Sequence, residues 1–287
     1  MADLAVSLLV LAGIVLACEL ARRASARLLF GAGAGTGAYA AELISTLQLC
    51  ACTHELKLLG DAGVSQPPPV ALALTYATAV VQAFTARGAT CNPSGALERF
   101  LRRRDGDSDS NGKGWRTLVA RVACQFVAAV AARDAVRRLW ARGLSELHAR
   151  HSASAFKCAS PVGSAPLLAA AGVEMACAFA VHATASCTRG WRETFRVHAV
   201  AAVITAAAYA GGSITGSVTN PALAFSTQFP CSGSTFTEYS FVYWMGPVLG
   251  MAGSVLLFDK FIPGLSAERR SHEEQIFNTI QRKRKKK

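Results

Sequence analysis

Two Asn-Pro dipeptides are the residues of this chain whose chemistry and spacing suggest a function. Asn92-Pro93-Ser94 begins 50 residues after Glu42, and Asn220-Pro221-Ala222 begins 46 residues after Glu174. Asn is a favoured N-cap and Pro is favoured at the first helical position, so each dipeptide predicts the start of a helix. The asparagine NH₂ groups can then donate hydrogen bonds to a passing solute oxygen. Two such sites at matched positions predict a solute path rather than two unrelated turns.

Residue patterns of catalysis or metal binding are missing from the sequence. Ser and His are scattered, and the chain has no G-x-S-x-G motif, P-loop or cluster of metal ligands. Its nine Cys include Cys50-Ala51-Cys52, which lacks the C-x-x-C spacing of a zinc site. We therefore expect no enzyme activity, no cofactor and no metal.

The composition predicts a membrane protein that crosses the bilayer several times. Of the 287 residues, 52% are hydrophobic and 17% are charged, whereas a soluble domain carries roughly 25% charged residues. The net charge of +12 comes without zinc-finger spacing or an RNP-like stretch, so we expect no nucleic-acid partner. Basic loops are instead typical of the cytosolic side of a membrane protein.

Seven apolar segments are near the ~17–25 residues that a spanning helix needs. They cover about residues 4–20, 38–59, 70–87, 117–140, 166–186, 197–215 and 238–260. Two shorter apolar pieces, 93–101 and 221–229, follow the Asn-Pro dipeptides. Nine residues rise roughly 13 Å, which is less than half of the ~30 Å hydrocarbon core. We expect these pieces to be half-helices of equal size.

Loop charges predict the orientation of the chain. Basic residues follow the first segment, precede the fourth, separate the fifth from the sixth and end the chain, so we expect these regions to be cytosolic. One basic set disagrees, because alternation of the segments places it outside. Snorkelling from a helix end is the one physical account that the sequence offers for it. The set comprises Arg137, Arg138, Arg142, Arg150 and Lys157.

The first apolar segment has several interpretations. Asp3 and the absence of a basic residue before it argue against a signal peptide. Packing in the core and an interfacial helix remain alternatives. Arg22 and Arg23 favour a short membrane helix whose N-terminus lies outside.

The two Asn-Pro units predict the fold. Each unit holds three spans and one half-helix, and an odd number of spans inverts the second unit relative to the first. The expected fold is an all-α membrane protein, an inverted repeat of two three-helix units with two half-helices, plus one extra N-terminal apolar helix. The expected divisions are 1–37 for the N-terminal helix and connector, 38–262 for the channel domain with repeats at about 38–140 and 166–262, and 263–287 for a cytosolic basic tail.

Over residues 38–262 this pattern resembles the aquaporin family, and within it the divergent intracellular aquaporin-11 and aquaporin-12 branch. The glutamate pair, both Asn-Pro boxes and Tyr243-Trp244-Met245-Gly246-Pro247 carry the family resemblance. Ser94 in the first box, Cys231 nine residues after Ala222, and the stretch 46–56 carry the resemblance to the branch. The resemblance implies that both box tripeptides line a pore, that the two glutamates hold the pore-loop backbone, and that the chain forms a homotetramer.

The resemblance also locates a selectivity filter that departs from the usual residues. Typical water-selective members have Arg three residues after the second Asn and His twelve residues before it, where this chain has Leu223 and Ala208. The aromatic filter position aligns near Leu72. A filter of these residues is wider and more apolar, so glycerol and hydrogen peroxide join water as expected permeants. Proton exclusion would rest on the dipoles of the two half-helices.

Three functions compete at this point. The favoured one is a passive channel for water and small neutral solutes. The second is a non-conducting membrane protein that keeps the fold for a structural or organelle-homeostasis role. The third is an ion-coupled transporter, which would need ionisable residues beside the boxes. Cys231 is expected to be structural, either by packing or by a bridge to Cys158 in a loop on the same face.

The C-terminal tail predicts the location. Lys283 and Lys285 are fifth and third from the end, which matches the Lys-x-Lys-x-x retrieval pattern, a receptor-read address. The alternative is a solvated basic tail attracted to anionic lipid. We expect a multi-pass protein of the endoplasmic reticulum membrane with a cytosolic C-terminus.

Replacing Lys283 and Lys285 with Ser separates these two interpretations, because Arg282, Arg284, Lys286 and Lys287 remain. We expect the tagged double variant to move toward the cell surface, measured by surface labelling. Replacement of Lys286 and Lys287 removes the same charge and is the control. A folded Lys283 and Lys285 variant that stays reticular would show that this tail is not the address.

Overall fold

The computed structural model describes residues 2–29, 35–61, 68–104 and 113–262, and this part of the chain is almost entirely helical. The helices are α1 (Ala2–Leu28), α2 (Thr36–Asp61), α3 (Pro68–Thr85), α4 (Pro93–Arg104), α5 (Lys113–Trp140), α6 (Glu146–Ala153), α7 (Leu167–Cys187), α8 (Glu193–Gly211) and α9 (Pro221–Thr227), followed by a C-terminal helix, Phe236–Phe261. Of the expected connector at 31–37, residues 31–34 lie outside the described residues, as does the tail with Lys283 and Lys285.

Among the described residues, four helices are long and apolar enough to cross a membrane, judged by length and composition. They are α1, α7, α8 and the C-terminal helix, and α3 contains a shorter apolar stretch, Pro69–Thr85. Helices α2 and α5 have the length, with 26 and 28 residues, but carry the buried polar residues Glu42, Glu55 and Gln125. Polar groups at such depth need partners inside the protein, and these partners organise the fold.

The two short helices differ in length, so the expectation of equal half-helices was wrong. Helix α4 has 12 residues and α9 has seven. Helix α4 continues because Arg102 pairs with Glu98 one turn earlier at 2.9 Å and with Asp259 of the C-terminal helix at 2.5 Å. Helix α9 ends at Thr227, three residues before Pro230, which cannot donate a helical hydrogen bond.

Helix α1 packs along α2 as an integral part of the bundle and is longer than the expected segment, with 27 residues. Near its start, Ser7 Oγ donates to Glu55 Oε1 at 2.5 Å. Near its end, Arg22 Nη2 donates to Gln48 Oε1 at 2.7 Å, and Arg22 is only 2% exposed. These contacts at both ends fix α1 antiparallel to α2, which favours the interpretation of α1 as a membrane helix.

Glu55 joins three further parts of the structure to α2. Besides Ser7, its carboxylate accepts a hydrogen bond from Trp140 Nε1 of α5 at 2.8 Å, and His148 Nε2 of α6 lies 3.0 Å away. Helix α6 begins after the N-cap Ser145 and is not among the segments expected from sequence. The fully buried Glu55 therefore gathers α1, α5 and α6 at one end of the bundle.

The C-terminal helix approaches α7 closely because two glycines face it. A Cβ at Gly246 would meet the carbonyl oxygen of Ala171, and one at Gly250 would overlap that of Met175. The Gly246-xxx-Gly250 spacing thus serves an internal contact in this chain, since small residues let membrane helices come together.

The Glu55 cluster can be tested by substitution. Glu55→Ala removes the acceptor of three buried groups, so we expect the free energy of unfolding to fall by about 3 kcal/mol in detergent. Glu146→Ala is the control, because the Glu146 side chain is 73% exposed. Chemical unfolding followed by Trp fluorescence measures both, and equal stabilities would contradict this role for Glu55.

Candidate functional site

Two loops, each ending at an Asn-Pro dipeptide, share an unusual backbone. Both have positive φ at the glycine four residues before Asn, 81° at Gly88 and 83° at Gly216. Both also have positive φ at the residue just before Asn, 53° at Cys91 and 52° at Thr219. Non-glycine residues rarely adopt this conformation, so surrounding contacts must hold it.

The buried carboxylates Glu42 and Glu174 supply those contacts at matching positions. Glu42 Oε1 accepts from the backbone N–H of Thr90 at 2.9 Å and of Cys91 at 2.6 Å. Glu174 Oε1 accepts from Val218 N at 2.9 Å, and its Oε2 accepts from Thr219 N at 2.6 Å. Each carboxylate thus satisfies the two N–H groups that precede its asparagine, as the resemblance implies for these residues.

The first loop has additional polar partners that the sequence reasoning missed. Arg121 Nη1 pairs with Glu42 Oε2 at 2.9 Å, and Gln125 Nε2 donates to Glu42 Oε1 at 2.8 Å. Both residues lie on α5 four positions apart, so they share one face of that helix. This i, i+4 pair of polar residues in the otherwise apolar stretch 118–132 was the available signal.

Asn92 and Asn220 face each other and bind each other's loops. Asn92 Nδ2 donates to Thr219 O at 3.1 Å, and Asn220 Nδ2 donates to Cys91 O at 2.7 Å. Their Oδ1 atoms cap the following helices, since Asn92 accepts from Ser94 N at 2.9 Å and Asn220 accepts from Ala222 N at 3.0 Å. An amide has two N–H donors, so one per asparagine is left for a solute.

A cavity of about 1810 Å³ passes this pair of asparagines. Its walls include Asn92, Asn220 and the three expected filter positions Leu72, Ala208 and Leu223. The other members of the two boxes are not among its lining residues, and Ser94 and Ala222 are fully buried. The structure therefore does not place these four expected pore-lining residues on the cavity, because the asparagines alone turn toward it. They are Pro93, Ser94, Pro221 and Ala222.

The two ends of the cavity carry different charged residues. At one end, called here the carboxylate end, Glu98 Oε2 lies 2.6 Å from His182 Nδ1 and Glu98 Oε1 pairs with Arg102 at 2.9 Å. At the other end, called the disulfide end, Lys57 Nζ donates to Thr227 O at 3.2 Å and Arg133 Nη1 donates to Phe229 O at 2.6 Å. The sequence analysis had singled out none of these five side chains as site residues.

The disulfide end is named after the bond between Cys158 and Cys231, which are 73 residues apart in the chain. Ser160 N also donates to Ser232 O at 2.7 Å, and Ser232 N donates to Cys158 O at 3.0 Å. Of the two alternatives left open for Cys231, the structure has the bridge. The bridge ties the segment after α9 to the loop before α7.

The helices and paired loops match the fold of a solved channel. The aquaglyceroporin from Plasmodium falciparum superposes with a TM-score of 0.58 at 16% sequence identity, covering 80% of this chain and 99% of that chain. At this identity the likeness shows the fold alone. The described structure is therefore that of an all-helical membrane protein with an aquaporin-like fold.

Sequence relatives identify the family, although no family model matches the chain. Aquaporin-11 of Homo sapiens is 36% identical over 228 residues, 79% of this chain and 80% of the relative. Aquaporin-12 of Mus musculus is 36% identical over 269 residues, 92% of this chain and 89% of the relative. The chain belongs to the aquaporin family, in its aquaporin-11 and aquaporin-12 subfamily. It is a multi-pass membrane channel protein and not an enzyme, so the recognition made from sequence is confirmed.

The Cys158–Cys231 bridge predicts the effect of removing either cysteine. Loop-closure entropy for a bridge of this span amounts to about 4 kcal/mol, so Cys231→Ser should lower folding yield. Cys158→Ser is the matched control, and we expect the double variant to be no worse than either single one. Size-exclusion chromatography of membrane extracts measures the yield. A larger loss for Cys231→Ser alone would indicate a packing role for its side chain instead.

Proposed function

We propose that the chain is a passive channel for water and small neutral solutes, among them glycerol and hydrogen peroxide. The observation that carries the proposal is the reciprocal pairing of Asn92 and Asn220 on the wall of one cavity. Each side chain caps the helix that follows it, donates one N–H to the other loop and retains a second N–H donor. A water or hydroxyl oxygen passing the pair can accept from both.

The directions of the two short helices support an inverted repeat about this pair. Helix α4 runs from Asn92 to the carboxylate end, where Glu98 and Arg102 lie. Helix α9 runs from Asn220 to the disulfide end, where the carbonyl of Thr227 meets Lys57. The two short helices thus start side by side and run in opposite directions. Two inverted three-helix units, at about 38–140 and 166–262, would produce this arrangement.

The filter positions favour permeants larger than water. Leu72, Ala208 and Leu223 lie on the cavity wall, and none of the three can donate a side-chain hydrogen bond. Such a wall can pack against the carbon backbone of a polyol, whereas a charged wall would hold water in its place. The solved channel of similar fold is an aquaglyceroporin, which is consistent with this choice.

The disulfide and the loop charges support an orientation and a compartment. Disulfides persist on the oxidising side of a membrane, which for a protein of the endoplasmic reticulum is the lumen. The disulfide end would then be luminal, and the carboxylate end, the end of α4 with Arg99 and Arg102, and the tail would be cytosolic. A reticular location and a homotetramer are part of this proposal.

Stopped-flow measurements on proteoliposomes test the channel directly. Osmotic, glycerol and peroxide gradients should each produce a flux above that of empty liposomes. Absence of all three fluxes in correctly folded, oriented protein would favour the non-conducting alternative.

Leu223→Arg tests the filter. A guanidinium at this nearly buried wall position should narrow the passage and bind water, so we expect glycerol or peroxide flux to fall roughly tenfold and water flux to fall less. Leu223→Gln adds length without charge, so it separates the effect of a narrower passage from the effect of the guanidinium charge. Fluxes equal to those of the unaltered protein would show that residue 223 does not line the path.

A further inference from the structure

The disulfide end of the cavity contains two of the five basic residues that contradict the loop-charge rule. Arg137 and Lys157, which the rule places on the wrong side, line the cavity together with Arg133 and Lys57. The acidic residues among its described lining are Glu19 and Glu98. Glu98 lies at the carboxylate end, and Glu19 pairs with Arg22 and Arg23 near the end of α1. In the described part of the chain, the disulfide end thus has basic lining residues and no acidic one.

Two of these cations are held by α5 and its neighbours. Arg133 and Arg137 are four residues apart on α5 and share one face of it. Arg133 donates to Phe229 O and stacks over the Phe225 ring at 6.0 Å. Arg137 stacks over the Phe156 ring at 5.9 Å. The aromatic contacts orient both guanidinium groups while leaving most of their five N–H donors for other partners.

We propose that this mouth, formed by Arg133 and Arg137 with Lys57 and Lys157, binds small inorganic anions and repels cations. Like charges in a cleft with low-dielectric walls focus the field and concentrate counter-ions roughly tenfold or more. Rings of Arg and Lys are the arrangement by which pores attract anions. The filter position Leu223 carries no charge. Lys57 of α2 and Arg133 of α5 instead place positive charge beside Thr227 and Phe229, further along the chain.

A purely structural role is the competing explanation. Cations near the C-terminal carbonyls of α9 stabilise that helix end without any ligand. Arg138 and Arg142 provide the comparison, because both are exposed, lie at the same end of α5 as Arg137 and do not line the cavity. A double change at 138 and 142 removes the same net charge as one at 133 and 137.

Charged thiol reagents measure the potential at the mouth. Helix α7 ends at the carboxylate end, where the hydroxyl of Ser186 accepts a hydrogen bond from Arg102. Helix α8 begins shortly after it and therefore ends at the disulfide end. Ala208→Cys near that end of α8 therefore places a reporter thiol on the cavity wall. In proteoliposomes, the rates of modification by anionic sulfonatoethyl, cationic trimethylammonioethyl and neutral methyl methanethiosulfonate are followed by mass spectrometry of the peptide containing residue 208.

The expected result is an anionic-to-cationic rate ratio roughly tenfold above that of a free cysteine in solution. Arg133→Gln with Arg137→Gln should reduce this ratio roughly tenfold, and Arg138→Gln with Arg142→Gln should leave it unchanged. The neutral reagent should react equally in all three proteins. A ratio equal to that of free cysteine, or one insensitive to the 133 and 137 changes, would overturn the proposal.

A second measurement needs no variant at 133 or 137. In the Ala208→Cys protein, raising the salt concentration from about 10 mM to 1 M shortens the screening length from roughly 30 Å to 3 Å and should abolish the excess ratio. A ratio that is independent of salt would also overturn the proposal. Neither measurement depends on water flux, so a failure of this inference is distinct from a failure of the proposed channel function.

Discussion

Interrupted backbone at membrane depth is the constraint on which the rest of this structure depends. The loops before Asn92 and Asn220 expose N–H groups where no bulk water is available, and each unsatisfied group would cost several kcal/mol. Glu42 and Glu174 accept those N–H groups, two for each carboxylate. Because the carboxylates set the loop backbone, they also set the direction of both asparagine side chains.

The same requirement explains why α2 and α5 are less apolar than their neighbours. Several charged or amide side chains on these helices pair inside the bundle, as Glu55 does with Trp140 and Arg121 does with Glu42. Helix α1 covers the side of α2 that carries Gln48 and Glu55. The extra N-terminal helix therefore belongs to the polar interior of the protein as much as to its lipid-facing surface.

Sequence reasoning succeeded where the signal was local or repeated. Asn-Pro gives a helix start within one turn, and its recurrence after a buried glutamate predicted the paired loops. It failed where distant residues decide the outcome. His148 meets Glu55 across 93 positions, and the extra turn of α4 depends on Asp259, 157 positions from Arg102. The sequence spacing places Arg133 and Arg137 on one helix face, but only the packing of the helices shows that this face turns toward the cavity.

The two loops have the same backbone conformation, but different contacts stabilise them. The first is braced by the ion pair of Glu42 with Arg121. No described cation lies within ion-pair distance of Glu174, and the second loop is held instead by Tyr243 Oη, which donates to Thr215 O at 2.6 Å, and by the Cys158–Cys231 bridge beyond α9. An ion pair inside the bundle persists in either redox state, whereas a disulfide requires an oxidising compartment. The half of the pore built on α9 is thus the half whose integrity depends on the compartment in which the protein resides.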